Sequence, residues 1–246
     1  MPRFFVSPEA VNRDGKTVLI TGDDAHHIAR SLRMAVGETV SVCDGGGTVL
    51  TCRLEQIRDD CAVGAILSEE RSASEPPYRL TVFQALVKGD RTDTAIQKSV
   101  ESGAHEIVLF ESSRCVMRRG DSDGKKLDRF RRIAHEAAKQ SGRGVLPEVS
   151  GPVSFRDAVK AASENALSLF CYEDESRTLL GDALPDSTPA SVSVMIGPEG
   201  GFSPEEAEIA SAAGLKSVSL GNRILRTESA APFTLACLAF KYELNR

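Results

Sequence analysis

A chain of 246 residues, 41% hydrophobic and 26% charged, is long enough to bury a core that needs no disulfide or metal support. Its formal net charge of -5 argues against a protein that binds nucleic acid electrostatically over its whole surface. No apolar run approaches the roughly 18–20 residues of a membrane span, and the first residues lack the pattern of a signal peptide.

The cysteine and histidine pattern excludes the usual metal-binding motifs. Six cysteines are scattered without a CxxC pair, and His26 and His27 have no third ligand nearby. We therefore expect no metal site, and reduced, buried thiols that act as small hydrophobic residues. Together with the absence of membrane and export signals, this cysteine usage predicts a cytoplasmic protein.

The first part of the chain, residues 1–72, is predicted to be a small β-barrel. Short runs rich in Val and Thr, separated by Gly or Asp turns, indicate strands. The runs are KTVLI, ETVSVCD, GTVLTCRLEQI and CAVGAIL, and one short helical segment, DDAHHIARSLR, interrupts them. A polar stretch with two prolines, SEERSASEPPYR from Ser68 to Arg79, is predicted to be a linker.

The second part, residues 73–246, alternates strands with helices. Strands are predicted at RLTVFQALV, EIVLFES, ALSLFCY, SVSVMI and KSVSL, and the last helix from about Ala231. Gly103 suits a left-handed C-cap, and Ser154 with Asp157 fits a capping box. This alternation predicts an α/β fold with a mostly parallel sheet covered by helices on both faces.

The stretch from Arg114 to Arg143 is rich in arginine and lysine and poor in acids. A local basic face can bind the phosphates of a nucleic acid even when the whole chain is acidic. A solvated helix face with basic residues explains the pattern equally well, so both interpretations stay open.

The segment IGPEGGFSPEE concentrates Gly and Pro between a predicted strand and a predicted helix. Ser203 suits the N-cap of that helix and Glu206 can reach back to it, so the loop lies at a strand's carboxyl end, where ligands bind. Glu199 would repel phosphate, and no lysine of a phosphate-binding loop follows. The loop suits an adenosine-type cofactor without phosphates, of which S-adenosylmethionine is the commonest. A Gly-Pro turn with a surface glutamate is the alternative.

A second irregular loop, SLGNRILRTESAAPF, follows the next predicted strand. Ile224 and Leu225 could sandwich an adenine ring while their backbone contacts its edge. Arg226 and Glu228 could position the substrate, or they could be an ion pair that caps the last helix. Two consecutive strand–loop–helix units would place both loops at one edge of the sheet.

IGPEGGFSPEE followed by LGNRILRTESAA resembles the RsmE family of ribosomal RNA small-subunit methyltransferases, within the SPOUT superfamily. HHIARSLRMAVGE, ALVKGDRTDTAIQKSVESGAHEIVLFES and RFRRIAHEAAKQSGRGVLPEV agree with it. The resemblance implies a PUA-like RNA-binding barrel, a SPOUT domain with a C-terminal trefoil knot, and a homodimer. The activity it implies is methylation of N3 of a uridine in 16S ribosomal RNA by S-adenosylmethionine.

From the two loops and the resemblance together, candidate residues can be named. Arg226 would stabilise the negative charge on the deprotonated uridine, and Glu228 would orient Arg226 or accept the proton. The predicted cofactor-binding residues are Gly197, Glu199, Gly200, Leu220, Ile224, Leu225 and Arg226. The predicted RNA-binding residues are Arg3, His26, Arg30, Arg33, Lys88, Arg91, Arg132, Gln140 and Arg143.

Three other functions are compatible with parts of the sequence. A non-catalytic RNA-binding or ribosome-assembly factor would keep the barrel and the basic stretch without the glycine loop. A nucleotide-dependent oxidoreductase would need a GxGxxG after the first strand of the sheet, which ALVKGDRTD does not supply. A methyltransferase that acts on a different RNA would have the same fold and cofactor loops.

Overall fold

The structure is a computed structural model that describes residues 1–117, 120 and 123–245. Arg118 and Arg119 of the predicted basic stretch lie outside the described residues. The chain divides into two compact units. The first unit comprises Met1–Glu75 and Ala138–Leu146, and the second comprises Pro76–Ala137 and Pro147–Arg246.

The first unit contains a six-stranded sheet in the order β1-β4-β5-β6-β3-β2. The β1–β4 pair is parallel and the other pairs are antiparallel. Its strands are β1 Arg3–Phe5, β2 Val11–Asn12, β3 Thr17–Thr21, β4 Thr39–Cys43, β5 Thr48–Ile57 and β6 Cys61–Arg71. A short 3-10 turn, Pro8–Ala10, precedes β2, and helix α1, Gly22–His26, is followed by a helical turn over His27–Ser31.

The predicted linker begins later than expected. Strand β6 continues to Arg71, because Ser68 to Arg71 pair with Thr51 to Thr48 of β5. The prediction that the chain leaves regular structure at Ser68 was therefore wrong, since cross-strand pairing outweighs the polar composition of this segment. The four strands predicted from the alternating runs are confirmed.

The core of the first unit is made by the apolar residues of these strands and of the helical segment. Phe4, Ile20, Leu50 and Leu54 are at most 1% exposed, and Ile28 covers them from the helical turn. Fully burying side chains of this size contributes roughly 1.5–3 kcal/mol each. Their spacing follows the alternation seen in the sequence, so the binary pattern determines which face of the sheet is covered.

Residues 138–146 complete the first unit although they are distant in sequence. Val145 forms β-bridges with Gly45 and Gly46, and the N–H of Gly47 donates to the carbonyl of Gly144 at 3.2 Å. The sequence alone gave no indication of this pairing, because it joins a hairpin turn to a segment almost 100 residues away.

Glu75 and Arg143 form the main polar contact of this junction. The guanidinium of Arg143 is 2% exposed and donates from Nε and Nη2 to Glu75 at 2.9 and 2.6 Å. The N–H groups of Gly144 and Val145 donate to the same carboxylate. Desolvation raises the pKa of Glu75, but Arg143 and the two N–H groups outweigh it and hold that pKa below its ordinary value of 4.5.

We expect Glu75→Gln to lower the free energy of unfolding of the first unit by about 3 kcal/mol, because it leaves the buried Arg143 unpaired. The wild-type pair stabilises the unit above pH 4.5 and loses this contribution as the pH falls through the lowered pKa. Urea unfolding of both proteins between pH 3 and 7 measures the effect. Glu69→Gln is the control, because its partner Arg13 is 49% exposed and the pair contributes little. Equal losses in both variants would contradict the prediction.

The second unit contains a six-stranded sheet in the order β12-β10-β11-β7-β8-β9, and its pairings are all parallel. The strands are β7 Arg79–Ala85, β8 Glu106–Glu111, β9 Glu148–Ser154, β10 Leu167–Cys171, β11 Ser191–Ile196 and β12 Lys216–Val218. The helices are α2 Arg91–Glu101, α3 Asp123–Gln140, α4 Phe155–Ser163, α5 Leu180–Ala183, α6 Pro204–Ala212 and α7 Thr227–Ala239, and a helical turn over Phe240–Leu244 follows. The predicted α/β fold with a parallel sheet is confirmed.

The helix caps follow the sequence signals closely. Gly103 has a φ of 100°, Ser154 accepts a hydrogen bond from the N–H of Asp157, and Ser203 with Glu206 forms a complete capping box. The last helix, however, begins at Thr227 and not near Ala231. Pro232 lies inside α7, where it lacks one backbone donor, and tertiary contacts keep the earlier turn helical.

Candidate active site

A cavity of about 590 Å³ lies at the carboxyl ends of strands β10 and β11, in the second unit. Three loops surround it, over residues 172–179, 197–201 and 219–226, and the first turn of α7 completes it. Ligands of parallel sheets bind at this edge because the loops that follow neighbouring strands meet there. The volume lies in the range of small-molecule and cofactor sites.

Two glycines of the loop at the cavity lie close against neighbouring side chains, so an added side chain at either position would require a neighbour to shift. A Cβ on Gly197 would lie 3.0 Å from the buried ring of Phe202. A Cβ on Gly201, which has a φ of +64°, would lie 1.3 Å from Oε1 of Glu173. Phe202 packs on Phe170 with ring centroids 4.2 Å apart, so the loop is fixed to the core directly after its last glycine.

A buried hydrogen-bond chain joins the glycine loop to the start of α7. The Nε2 group of Gln84, a side chain only 1% exposed, donates to Oγ1 of Thr227 at 3.0 Å. The hydroxyl of Thr227 in turn donates to the carbonyl of Gly197 at 2.7 Å. The two loops recognised in the sequence are therefore held together, and their relative position depends on strand β7.

Glu199 lines the cavity, but its charge is already matched. Its Oε1 accepts from Nη1 of Arg91 at 3.0 Å and from the backbone N–H of Lys88 at 3.2 Å. Arg91 therefore neutralises the carboxylate that the sequence analysis assigned to the cofactor. Both Lys88 and Arg91 were predicted to contact RNA, and the structure places them beside the glycine loop.

Most of the predicted cofactor residues surround this one cavity. Its lining includes Gly197, Glu199, Leu220, Ile224, Leu225 and Arg226, together with Glu228. Gly200 is not part of the lining, because its carbonyl points to Arg114 and accepts from Nη1 at 2.9 Å. Ile224 is 95% exposed, which leaves a large apolar side chain at the cavity without protein contacts.

Arg226 and Glu228 are close in sequence but have different environments. Arg226 is the exposed N-cap residue of α7, whereas Oε2 of Glu228 is buried and has no hydrogen-bond partner among the described residues. Within that part of the chain no ion pair joins them, so the alternative of a helix-capping pair is not observed. An unpartnered buried carboxylate oxygen at a cavity is unfavourable unless a ligand donates to it.

The third loop, which follows β10, was not predicted from the sequence to be part of the site. Tyr172, Glu173, Glu175, Ser176 and Leu179 contribute to the lining. This loop could have been predicted, because strand β10 was predicted and neighbouring parallel strands end at the same edge of the sheet. Cys171 also lines the cavity, but burial raises the pKa of its thiol to about 12, which disfavours the thiolate form that a nucleophile needs.

The predicted RNA-binding residues of the first unit have different surroundings. His26, Arg33 and Gln140 are exposed. Arg30 is exposed but pairs with Asp59 at 2.5 Å, and Arg3 donates to the carbonyls of Gly142 and Arg143.

Arg143 was also predicted to contact RNA, but the structure gives its side chain a different environment. The prediction that it contacts RNA was wrong, because its side chain is buried against Glu75 and is only 2% exposed. In the second unit, Lys88, Arg91 and Arg132 are exposed.

Two negative findings concern the described residues only. None of their helices is long and apolar enough to cross a membrane. In that same part of the chain, no group of three or more His, Cys, Asp or Glu side chains is arranged to hold a metal ion.

Family models match both parts of the chain. A model described as an RNA methyltransferase domain matches residues 74–239. A second, described as an RNA methyltransferase PUA domain, matches residues 20–63.

Relatives resemble the chain over nearly its full length. Ribosomal RNA small subunit methyltransferase E of Bacillus subtilis is 31% identical over 100% of this chain and 99% of its own. The protein of the same name from Synechocystis is 34% identical, over 95% of this chain and 76% of its own.

A solved structure agrees with these relatives. The ribosomal RNA small subunit methyltransferase E from Neisseria gonorrhoeae, bound to S-adenosyl methionine, superimposes with a TM-score of 0.86. It is 34% identical and covers 98% of this chain and 97% of its own. The chain therefore belongs to the ribosomal RNA small subunit methyltransferase E family of RNA methyltransferases.

Proposed function

We propose that this protein transfers a methyl group from S-adenosylmethionine to N3 of a uridine in 16S ribosomal RNA of the small ribosomal subunit, in the cytoplasm. The main support for the proposal is the cavity at the glycine loop. The ends of three strands surround this cavity, and the chain belongs to a family of RNA methyltransferases. The metal-independent chemistry needs only a pocket for the donor and an entry for the base.

The residues of the cavity fit a phosphate-free adenosine cofactor. Ile224 presents an exposed apolar side chain that a flat ring could cover, and Leu220 and Leu225 line the same region. Glu173 would repel phosphates, and Oε2 of Glu228 has no hydrogen-bond donor among the described residues. These features favour a ligand with an apolar ring, hydrogen-bond donors and positive charge.

Gly197, Leu220, Ile224, Leu225 and Arg226 would hold the cofactor, mainly through backbone groups. Bound there, S-adenosylmethionine would supply a methyl group on a positively charged sulfur, and the leaving group is a neutral thioether when N3 of the uridine takes the methyl. The chain contributes alignment of the two reactants, which can account for a large share of the barrier reduction.

Arg226 would stabilise the negative charge of the uridine, and Glu228 would accept its proton. The base must be unpaired so that N3 becomes accessible. The proton on N3 leaves as the new N–C bond forms, and the negative charge spreads over N3, O2 and O4. The exposed guanidinium of Arg226 can stabilise that charge, and the unpartnered oxygen of Glu228 can accept the proton.

RNA binding is proposed for both units, each through its own exposed residues. In the predicted PUA-like domain of residues 1–72, the proposed contacts are Arg3, His26, Arg30 and Arg33. In the proposed SPOUT domain of residues 73–246, they are Lys88, Arg91, Arg132 and Gln140, of which Gln140 belongs to the first compact unit of the structure. Arg30 pairs with Asp59, but an exposed pair can exchange its partner for a phosphate at little cost.

A C-terminal trefoil knot is also part of the proposal. It is supported by the path of the chain after β12, the edge strand of the sheet. Ser219 exchanges hydrogen bonds with Thr178 and Leu180 of the loop after β10. Eight residues later, Thr227 contacts Gly197 and Gln84 near the centre of the sheet. The last segment therefore runs beside an earlier loop before it returns to the centre.

A homodimer is proposed from the apolar face at the end of the chain. Phe233, Phe240 and Leu244 are spaced by seven and four residues, which places them on one helical face, and they are 36%, 62% and 77% exposed. Exposed aromatic and aliphatic side chains in a continuous stripe are typical of an interface between subunits. A second copy of the chain would cover them.

We expect Phe240→Glu to convert the dimer into a monomer, because the added carboxylate would lose its water at the interface. Size-exclusion chromatography with light scattering measures the mass of both proteins over a range of concentrations. Ser211→Glu, an exposed position on α6, adds the same charge elsewhere and should leave the dimer intact. A wild-type monomer, or a dimeric Phe240→Glu variant, would contradict the proposed interface.

The methylation itself is tested by mass mapping of 16S ribosomal RNA from cells with and without this protein. Loss of N3-methyluridine at one position, restored by incubation with the purified protein and S-adenosylmethionine, is the expected result. An unchanged pattern of small-subunit methylation would favour a methyltransferase for another RNA. Failure of the protein to bind S-adenosylmethionine would favour a non-catalytic assembly factor.

A further inference from the structure

The cavity has four carboxylates and three guanidiniums in its lining, and they are not equivalent. The carboxylates belong to Glu173, Glu175, Glu199 and Glu228, and the guanidiniums to Arg91, Arg223 and Arg226. The acids therefore outnumber the bases by one, which suits a ligand with net positive charge. S-adenosylmethionine carries a sulfonium, an ammonium and one carboxylate, and so has this property.

Three of the four carboxylates already have a hydrogen-bond partner or a proposed role in the reaction. Glu199 pairs with Arg91 at 3.0 Å. Glu175 accepts from the N–H groups of Arg177 and Thr178 at 2.7 and 3.2 Å and so belongs to its own turn. Glu228 is the proposed proton acceptor. Among the described residues, no lysine or arginine lies within ion-pair distance of Glu173.

Glu173 is held in place by the glycine loop itself. Its carboxylate lies near the backbone N–H of Phe202, which acts to lower the pKa of Glu173. Its Oε1 occupies the space that a side chain on Gly201 would need, since a Cβ there would lie only 1.3 Å away. Gly201, the third glycine of the loop, therefore leaves room for this carboxylate, which lies between the loop after β10 and the glycine loop.

We propose that Glu173 binds a positive charge of the methyl donor. This inference rests on the function proposed above. The charge is either the sulfonium, which only the donor carries, or the ammonium, which the demethylated product shares. A sulfonium contact would also favour release of the product, because the neutral thioether loses the attraction.

The electrostatic surroundings of the carboxylate agree with this role. The side chain of Glu173 is exposed overall, but partial desolvation of its carboxylate raises the pKa of Glu173, and the nearby Asp174 acts in the same direction. A carboxylate with these neighbours is stabilised by an incoming cation. Arg114 opposes the effect only weakly, and its Nη1 is engaged by the carbonyl of Gly200.

Isothermal titration of the full-length protein with three ligands tests the proposal. S-adenosylmethionine carries both charges, S-adenosylhomocysteine keeps the ammonium alone, and 5′-methylthioadenosine keeps only the adenine and ribose. Glu173→Gln keeps the shape of the side chain and removes its charge, so the loop should stay folded, which a thermal melt checks. We expect the Kd for S-adenosylmethionine to rise on the order of tenfold or more, as for loss of a charge-assisted contact.

The pattern across the ligands identifies the charge. Weaker binding of S-adenosylmethionine alone would assign the sulfonium, and weaker binding of S-adenosylhomocysteine as well would assign the ammonium; the Kd of 5′-methylthioadenosine stays unchanged in both cases. Asp174→Asn, the neighbouring acid outside the cavity lining, is the charge-matched control and should keep wild-type affinities.

Other outcomes overturn the proposal. Equal weakening of all three ligands would place Glu173 at the ribose or adenine, and no weakening would leave it without a role in binding. The same loss in Asp174→Asn would show a general charge effect. If the wild-type protein bound none of the ligands, the proposed function itself would fail and this inference with it.

Discussion

Replacing Gly201 by alanine is expected to abolish most of the affinity for S-adenosylmethionine, with a Kd raised roughly 30-fold or more. The φ of +64° at this residue costs a side chain about 1–3 kcal/mol. The new Cβ would also lie 1.3 Å from Oε1 of Glu173, so the carboxylate or the loop must move. Titration calorimetry measures the loss, because 1.4 kcal/mol corresponds to about tenfold in affinity.

Gly200→Ala provides the matched control one residue earlier. Gly200 has no positive φ, and the nearest atom to an added Cβ is Cβ of Arg114 at 3.4 Å, which is ordinary contact. Its affinity for S-adenosylmethionine should therefore stay within about threefold of wild type, well below one tenfold step. Similar affinities of the two variants would show that the contact between Gly201 and Glu173 does not shape the pocket.

Replacing Arg226 by alanine is expected to lower kcat for methylation of ribosomal RNA by a factor on the order of 10²–10³, the usual effect of removing one charge-stabilising donor. Binding of S-adenosylmethionine should change much less, because the exposed side chain is proposed to stabilise the base, whereas backbone groups are proposed to hold the cofactor. Single-turnover methyl transfer and calorimetry on the same protein separate the two effects.

Two further variants sharpen this test. Arg226→Lys keeps the positive charge and should restore part of the rate, but not the planar contact of a guanidinium. Arg177→Ala removes an exposed arginine of the loop after β10 that does not line the cavity, and it should leave the rate unchanged. A variant without Arg226 that methylates at the wild-type rate would remove this residue from the mechanism.

The sequence by itself determined the type of most elements and the location of two of the loops that line the cavity. Local signals suffice for this, because strand alternation, the capping box at Ser203 and Glu206, and the glycine at residue 103 act over a few residues. The two C-terminal loops were recognised for the same reason, since parallel strands end at one edge. Six of the seven predicted cofactor residues line the cavity.

Side-chain partners were decided only by the tertiary structure. Glu199 was expected to face the cofactor, and Arg143 to face RNA, because sequence shows the charge of a residue and not its neighbour. Arg91 lies 108 residues from Glu199, and Glu75 lies 68 residues from Arg143. The energy of an ion pair depends on distance and solvent exposure, which are set by the packing of segments remote in sequence.

Contacts between segments remote in sequence also determine which residues make up the first unit and which residues line the cavity. Residues 138–146 join the first unit through bridges to Gly45 and Gly46, and Gln84 reaches Gly197 only through Thr227. Such pairings carry no local pattern, because their cost in chain entropy is offset by contacts that exist only after folding. Short-range sequence signals therefore specified the strands and loops, whereas the folded chain decided which charges remain open to a ligand.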